Sequence, residues 1–206
     1  SNTFSWIPVS VIGVIAEFHG IYDVFFESNI LDNNAVQCDR ILLLELVCNQ
    51  LNRVVQLERI YSGINDGFFA DVFHKHCDEQ GPTLVLIWNE FNAVFGGYTG
   101  EHWSTPETWT TKYDKTAFLY QVYPEQNVYE QRRKDGYDAI FMTPDYMCAF
   151  SGQCDLIIKD EPDKNRDSYA WAKHYKFNTA KELIGGQQDG KQVYFKINEI
   201  EVYKVL

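Results

Sequence analysis

A chain of 206 residues, 45% hydrophobic and 16% aromatic, is long enough to bury about 70% of its unfolded surface in one core, which excludes an intrinsically disordered protein. A net charge of -11 and a pI near 4.8 exclude a duplex-binding nucleic-acid protein, because phosphate affinity comes from clustered Lys and Arg that release counterions. The one dense basic run, Arg132, Arg133 and Lys134, reads as a solvated edge.

Residues 1–24 alternate weakly, with Ile7, Val9 and Val11 on one parity and Ile12 and Val14 on the other, and read as an arm or one or two short strands. The apolar run Trp6–Ala16 is broken by Pro8 and Gly13 and follows no basic segment, so neither a transmembrane span nor a signal peptide is expected. A start on Ser1 and Asn2 rather than Met reads as a piece of a longer protein. From Asn33 to Arg53, Ile41, Leu44, Val47, Cys48 and Leu51 recur at helical spacing, with Leu42 and Leu43 widening the stripe. A strand is expected over Val54–Tyr61.

Asp66 then reads as the N-cap of a helix whose apolar face is Phe69, Val72, Phe73 and Cys77, stopped by Gly81 and Pro82. Thr83–Trp88 is continuously apolar and predicts a strand buried on both faces, with a turn at Asn89–Asn92 and a return over Ala93–Tyr98. Thr99–Asp114 is polar and reads as a loop that exposes Trp103 and Trp109. Short strands are expected at Thr116–Tyr123, ended by Pro124, and at Ala139–Met142 and Asp155–Ile158, before a charged loop over Asp160–Ser168. Near the end, Val193, Phe195 and Ile197 share one parity but Ile200 and Val202 the other, which calls for a bulge near Asn198 and Glu199. Without it, Glu199 or Glu201 would point inward and need a donor.

The stretch DGFFADVFHKHCDEQGPTLVLI followed by VFGGYTGEHW resembles the signature of the TLDc (TLD) domain family. Ser28, Ile30 and Leu31 resemble the family's opening, Ala117, Phe118 and Leu119 a core strand, and Glu201, Val202 and Tyr203 its closing strand, with Tyr203 where the family usually has Trp. The resemblance spans 25–206 and leaves 1–24 outside. It implies a single α+β domain, a two-sheet antiparallel β-sandwich flanked by a few helices. It also implies a non-catalytic interaction domain that binds and modulates the V-ATPase through its peripheral subunits and protects against oxidative stress.

Candidate chemistry is sparse. His74, His76 and Cys77 lie within four positions, but only His74 and Cys77 share a helix face and no second Cys/His pair follows, so no metal site is expected and the histidines read as surface residues. Asp163, Asn165 and Asp167 imitate the start of a calcium loop, yet Ser168 and His174 stand where such a loop needs Gly and Glu. Gly96, Gly97 and Gly100 lack the Lys-Ser/Thr of a phosphate loop and read instead as a strand bend or close backbone approach. No cofactor is expected.

Five cysteines, Cys38, Cys48, Cys77, Cys148 and Cys154, form no CxxC pair and favour a reducing compartment, hence the cytoplasm, including the cytosolic face of acidic organelles or a cilium. The candidate partner contacts are Glu101, His102, Trp103 and Trp109. Two other readings stand beside this one: a structural part of a ciliary or cytoskeletal assembly, and a redox or hydrolytic enzyme using Cys77, His74 or an acidic pair such as Glu90 and Glu101.

Overall fold

Alternate side chains of a strand point to opposite faces, so an unbroken apolar run suits a strand covered on both sides. Thr83–Asn89 is such a strand: Val85 and Ile87 enter one apolar cluster while Leu84 and Leu86 enter another. The computed structural model describes residues 26–33, 40–188 and 190–206. The expected N-terminal arm at 1–24, and Cys38, lie outside the described residues.

In chain order the elements are α1 (Arg40–Leu51), β1 (Leu57–Ser62), α2 (Gly63–Asp66), α3 (Ala70–Cys77), β2 (Thr83–Asn89), β3 (Val94–Thr99), β4 (Thr110–Lys112) and β5 (Phe118–Tyr123). There follow β6 (Asn127–Glu130), β7 (Ile140–Met142), β8 (Tyr146–Phe150), β9 (Leu156–Lys159), β10 (Ser168–Trp171), α4 (Ala180–Ile184), β11 (Gln192–Phe195) and β12 (Ile197–Val205). The strands form two antiparallel six-stranded sheets, ordered β1-β12-β2-β3-β5-β6 and β11-β10-β9-β8-β7-β4. This is the expected α+β sandwich.

The larger cluster lies between the sheets, with Val85, Ile87, Phe95 and Val202 of the first facing Phe150, Leu156, Ile158 and Phe195 of the second. Helix α3 contributes Ala70, Phe73 and Cys77 to it, and α4 contributes Ala180, Leu183 and Ile184. The second cluster covers the other face of the first sheet with Phe26, Ile30 and Leu31 and with Leu43, Leu46 and Val47 of α1. On α1 the buried set is centred differently from expectation: Ile41 and Leu42 are exposed. Apolar residues surround this helix, so periodicity alone could not orient it.

At Gly96 an added Cβ would stand 1.8 Å from the Val85 carbonyl oxygen, and at Gly97 2.5 Å from the Phe150 ring. The expected close approach is therefore real, with the bare Gly97 backbone letting the second sheet's Phe150 pack down on the first sheet. The bulge in β12 is also present, as a register shift between Ile197 and Glu199. Even so, both Glu199 and Glu201 are fully buried, because the face to which the bulge turns them is covered as well.

The helix before β2 begins later than expected. Asp66 ends α2, where its carboxylate accepts from the Ser62 amide, and Ser62 Oγ caps the Asn65 amide. Helix α3 has no side-chain cap of its own; the Ala70 amide donates to Asp160 Oδ1 at 2.7 Å, ninety positions along the chain. Its buried face is Ala70, Phe73, His74 and Cys77, and Phe69 stays exposed.

Candidate interaction surface

The residues expected to form an exposed contact do not share one environment. Trp103 is 1% exposed and belongs to the inter-sheet core. Its Nε1–H donates to Thr83 Oγ1 at 2.9 Å, its ring meets Phe73 and Phe150 edge-on, and its carbonyl accepts from the Glu79 amide. The expectation of an exposed anchor is thus corrected at Trp103. A large ring inside a polar loop stabilises more by burial than by exposure once its one donor has a partner.

Its neighbours stay outside. His102 pairs with Glu79 at 3.1 Å, and the His102 carbonyl accepts from Lys112 Nζ. Partial burial lowers the Lys112 pKa, opposed by the charges of Glu101, Glu79 and Asp78. Trp109 is 69% exposed and stacks on Phe141 with centroids 6.1 Å apart.

His74 is buried, contrary to its reading as a surface residue. Nδ1 faces Asp78 Oδ1 at 2.8 Å, and Nε2 faces the carbonyls of Tyr146 and Thr143 at 2.9 and 3.2 Å. Every partner is an acceptor, so the arrangement suits the imidazolium form, in which both nitrogens donate. Burial works against this charge, but the Asp78 carboxylate and the two carbonyls outweigh it and hold the pKa above the ordinary histidine value. Both nitrogens are committed, which leaves none for a metal. The group instead ties α3 to the β7–β8 turn.

The same economy holds at the other buried carboxylates. Asp155 accepts from three successive amides, Lys173, His174 and Tyr175, and from Ser151 Oγ. Glu201 accepts from Ser28 Oγ, the Asn29 amide, Arg59 and Tyr203 Oη, and so fastens the opening segment to the first sheet. Glu199 accepts from the amides of Ile64 and Ile200, yet burial still pushes its pKa up to about 7. Burial also raises the thiol pKa of Cys77 and of Cys148, the opposite of what a nucleophile needs. Two surface recesses, of about 400 and 640 Å3, are lined by other residues, including Phe91 and Tyr194 in one and Gln121 and Lys181 in the other.

The outer face of the second sheet is the surface that sequence reasoning missed. A transverse row crosses all six strands through the paired residues Tyr194, Tyr169, Ile157, Ala149, Phe141 and Thr111. Tyr194 is 50% exposed at one end, Ile157 and Ala149 at the centre are buried, and Trp109 lies over Phe141 at the other end. Tyr146 and Trp171 flank the row, each with a lysine ammonium against its ring. None of these six strands contains Asp or Glu, in a chain that has 29 acidic residues. None of the described helices covers the row: α3 and α4 bury their apolar side chains between the sheets, and α1 lies on the first sheet.

A family model described as the TLDc domain matches residues 25–206. The chain belongs to the TLDc family. No curated protein matches it. The residues that carry the TLDc resemblance are packing residues in this structure: Gly96 and Gly97 admit neighbouring groups, Trp103 fills the space between sheets, and Ser28, Glu201 and Tyr203 form one buried hydrogen-bonded group. These TLDc signature residues thus describe a core. Among the described residues no helix is long and apolar enough to cross a membrane.

Proposed function

We propose that this TLDc domain is a non-catalytic protein-interaction module that binds peripheral subunits of the V-ATPase on the cytosolic side and modulates the pump, with a part in protection against oxidative stress. The observation that carries the reading is the aromatic outer face of the second sheet, ending at Trp109. Exposed Trp and Tyr side chains are frequent anchors of protein interfaces, since they offer large area at low entropic cost. The use of His74, Asp155 and Glu201 as internal fasteners supports binding rather than turnover, because a catalytic group must keep a donor or acceptor for its substrate. The identity of the partner is carried by the family alone.

The test is capture of partners by the tagged full chain from its native cytosol, followed by mass spectrometry, with Trp109→Ala in parallel. Recovery of V-ATPase peripheral subunits, lost with Trp109→Ala, is the expected result. Recovery of tubulin and ciliary components instead would replace this reading with a structural one.

A further inference from the structure

Glu199 and Glu201 are fully buried two positions apart on β12, so both side chains leave the same face of the first sheet. Among the described residues one cation serves them. Arg59 donates to Glu201 Oε1 at 3.1 Å and also to the exposed Glu27 at 3.0 Å. Glu201 further accepts from Ser28 Oγ and the Asn29 amide, each at 2.6 Å, and from Tyr203 Oη at 2.8 Å. Glu199 has only uncharged donors: the Ile64 amide at 3.1 Å, the Ile200 amide at 2.8 Å and Asn29 Nδ2 at 3.5 Å. The elements around it bring no compensating cation. From α2 comes Asp66, whose carboxylate accepts from the Ser62 amide, and from β1 comes Tyr61, whose hydroxyl donates to the Gly67 carbonyl. Strand β2 has no ionisable residue, and Arg40 of α1 is engaged by Asp32 and the Phe26 carbonyl.

We propose that Glu199 is the pin of a proton-operated latch: protonated, it lets 26–33 and α2 close over this face of the first sheet, and when its proton leaves to solvent the two segments lift. Two carboxylates that share one guanidinium away from water cannot both stay charged without a large desolvation cost, so the one lacking the cation takes a proton. That one is Glu199. Burial pushes its pKa up to about 7 and the charge of Glu201 adds to the rise, against the bonds from Ile64, Ile200 and Asn29. Once ionised, Glu199 regains hydration where its cover is thinnest. That cover is Asn29, through its 3.5 Å contact and its bond to Ser62 Oγ, and the start of α2, where Ile64 is 58% exposed. Lifting uncovers Ile30 and Leu31, which the closed form buries in the second apolar cluster. The latch does not depend on which partner the domain binds.

A carboxyl that ionises near 4.5 in water and near 7 under its cover binds its proton more tightly when closed, so closure is strongest at low pH and weakens as pH rises. Between pH 6 and pH 8 the open fraction should rise about tenfold. The experiment is native-state hydrogen exchange on the full chain at pH 6, 7 and 8, corrected for intrinsic rates and repeated at several low denaturant concentrations. The amides of Asn29, Leu31 and Ile64, bonded to Glu201, Ser28 and Glu199, should lose protection about tenfold from pH 6 to pH 8. That loss should not depend on denaturant, because a local opening exposes little new surface. Glu199→Gln keeps an oxygen for the Ile64 and Ile200 amides but gains no charge in this range, and should hold its pH 6 protection at pH 8.

Carbon-13 NMR of the Glu199 carboxyl gives a second reading on the unsubstituted chain, with a midpoint expected near 7. A midpoint below about 5.5 would overturn the proposal. So would an equal loss of protection in Glu199→Gln. Exchange of 26–33 that changes only through denaturant-dependent unfolding would also overturn it, leaving Glu199 a determinant of global stability and no latch. Failure here leaves the interaction reading standing, because partner capture and its loss with Trp109→Ala are read separately.

Discussion

The two sheets have six strands each but opposite fates on their outer faces. The first is covered by its partner sheet and by Phe26–Leu31 with α1; on the second, Ile157 and Ala149 at the centre of the outer row are buried while Tyr194 at its edge is half-exposed. Double coverage forces polar groups on the first sheet to be paid for internally: Glu199 and Glu201 lie at zero exposure and take donors from the opening segment, β1 and α2. On the second sheet, rings paired with lysines, Tyr146 with Lys159 and Trp171 with Lys173, flank the outer row.

The largest effect should come from the core between the sheets. Trp103→Ala removes a fully buried ring and orphans the Thr83 hydroxyl, and should cost about 3–5 kcal/mol in denaturant unfolding. A loss under about 1 kcal/mol would show that the sheets tolerate separation at that end.

Glu201→Ala strips Arg59, Ser28, Tyr203 and the Asn29 amide of their common acceptor and should cost about 3 kcal/mol or more. Hydrogen exchange should locate the loosening at 26–33 and β1 while the amides of β8 and β9 stay protected; uniform loss across both sheets would break the asymmetry.

Two pH effects come next. A carboxylate whose folded pKa is raised to about 7 binds its proton more tightly in the native state than in the unfolded one, so Glu199 makes stability fall as pH rises from about 4.5 to about 7. Glu199→Gln can keep Oε1 as acceptor of the Ile64 and Ile200 amides and should flatten that slope, gaining on the order of 1–3 kcal/mol at pH 8. His74, also raised, gives stability that is full below its ordinary value near 6.5 and is lost as pH rises through the folded value. His74→Gln should remove the higher-pH part of the decline and leave the lower part intact. Denaturant midpoints measured from pH 4 to 9 on the three proteins separate the two windows.

The smallest stability change should belong to Trp109→Ala, within about 0.5 kcal/mol, because the ring is mostly solvated already. Its effect should appear in partner capture and not in the melt, the reverse of Trp103→Ala.

Much of the fold was legible because its strongest signals are local. The unbroken run of β2, the Asn89–Asn92 turn, the Gly96–Gly97 approach and the parity switch in β12 each follow from pleat, turn chemistry or bulge geometry within a few residues. Strands β4, which falls in the segment Thr99–Asp114 expected to be a loop, β6, β8 and β10 and helix α4 were not legible. Each is at most five residues long and held by partners distant in sequence, as β8 is by β7 and β9. The site was less legible still, because Trp103 and Trp109 occupy the same polar loop and nothing in its composition says which ring turns inward.

By itself, then, the sequence determined the class of the domain, its family and the elements whose periodicity or turn residues are self-contained. Tertiary structure decided the rest, since burial is a property of what lies opposite. Asp160 became a helix cap only when its loop met Ala70, and Glu201 an acceptor only when Ser28 crossed over it. The outer row from Tyr194 to Thr111 came into line only when six strands aligned in register.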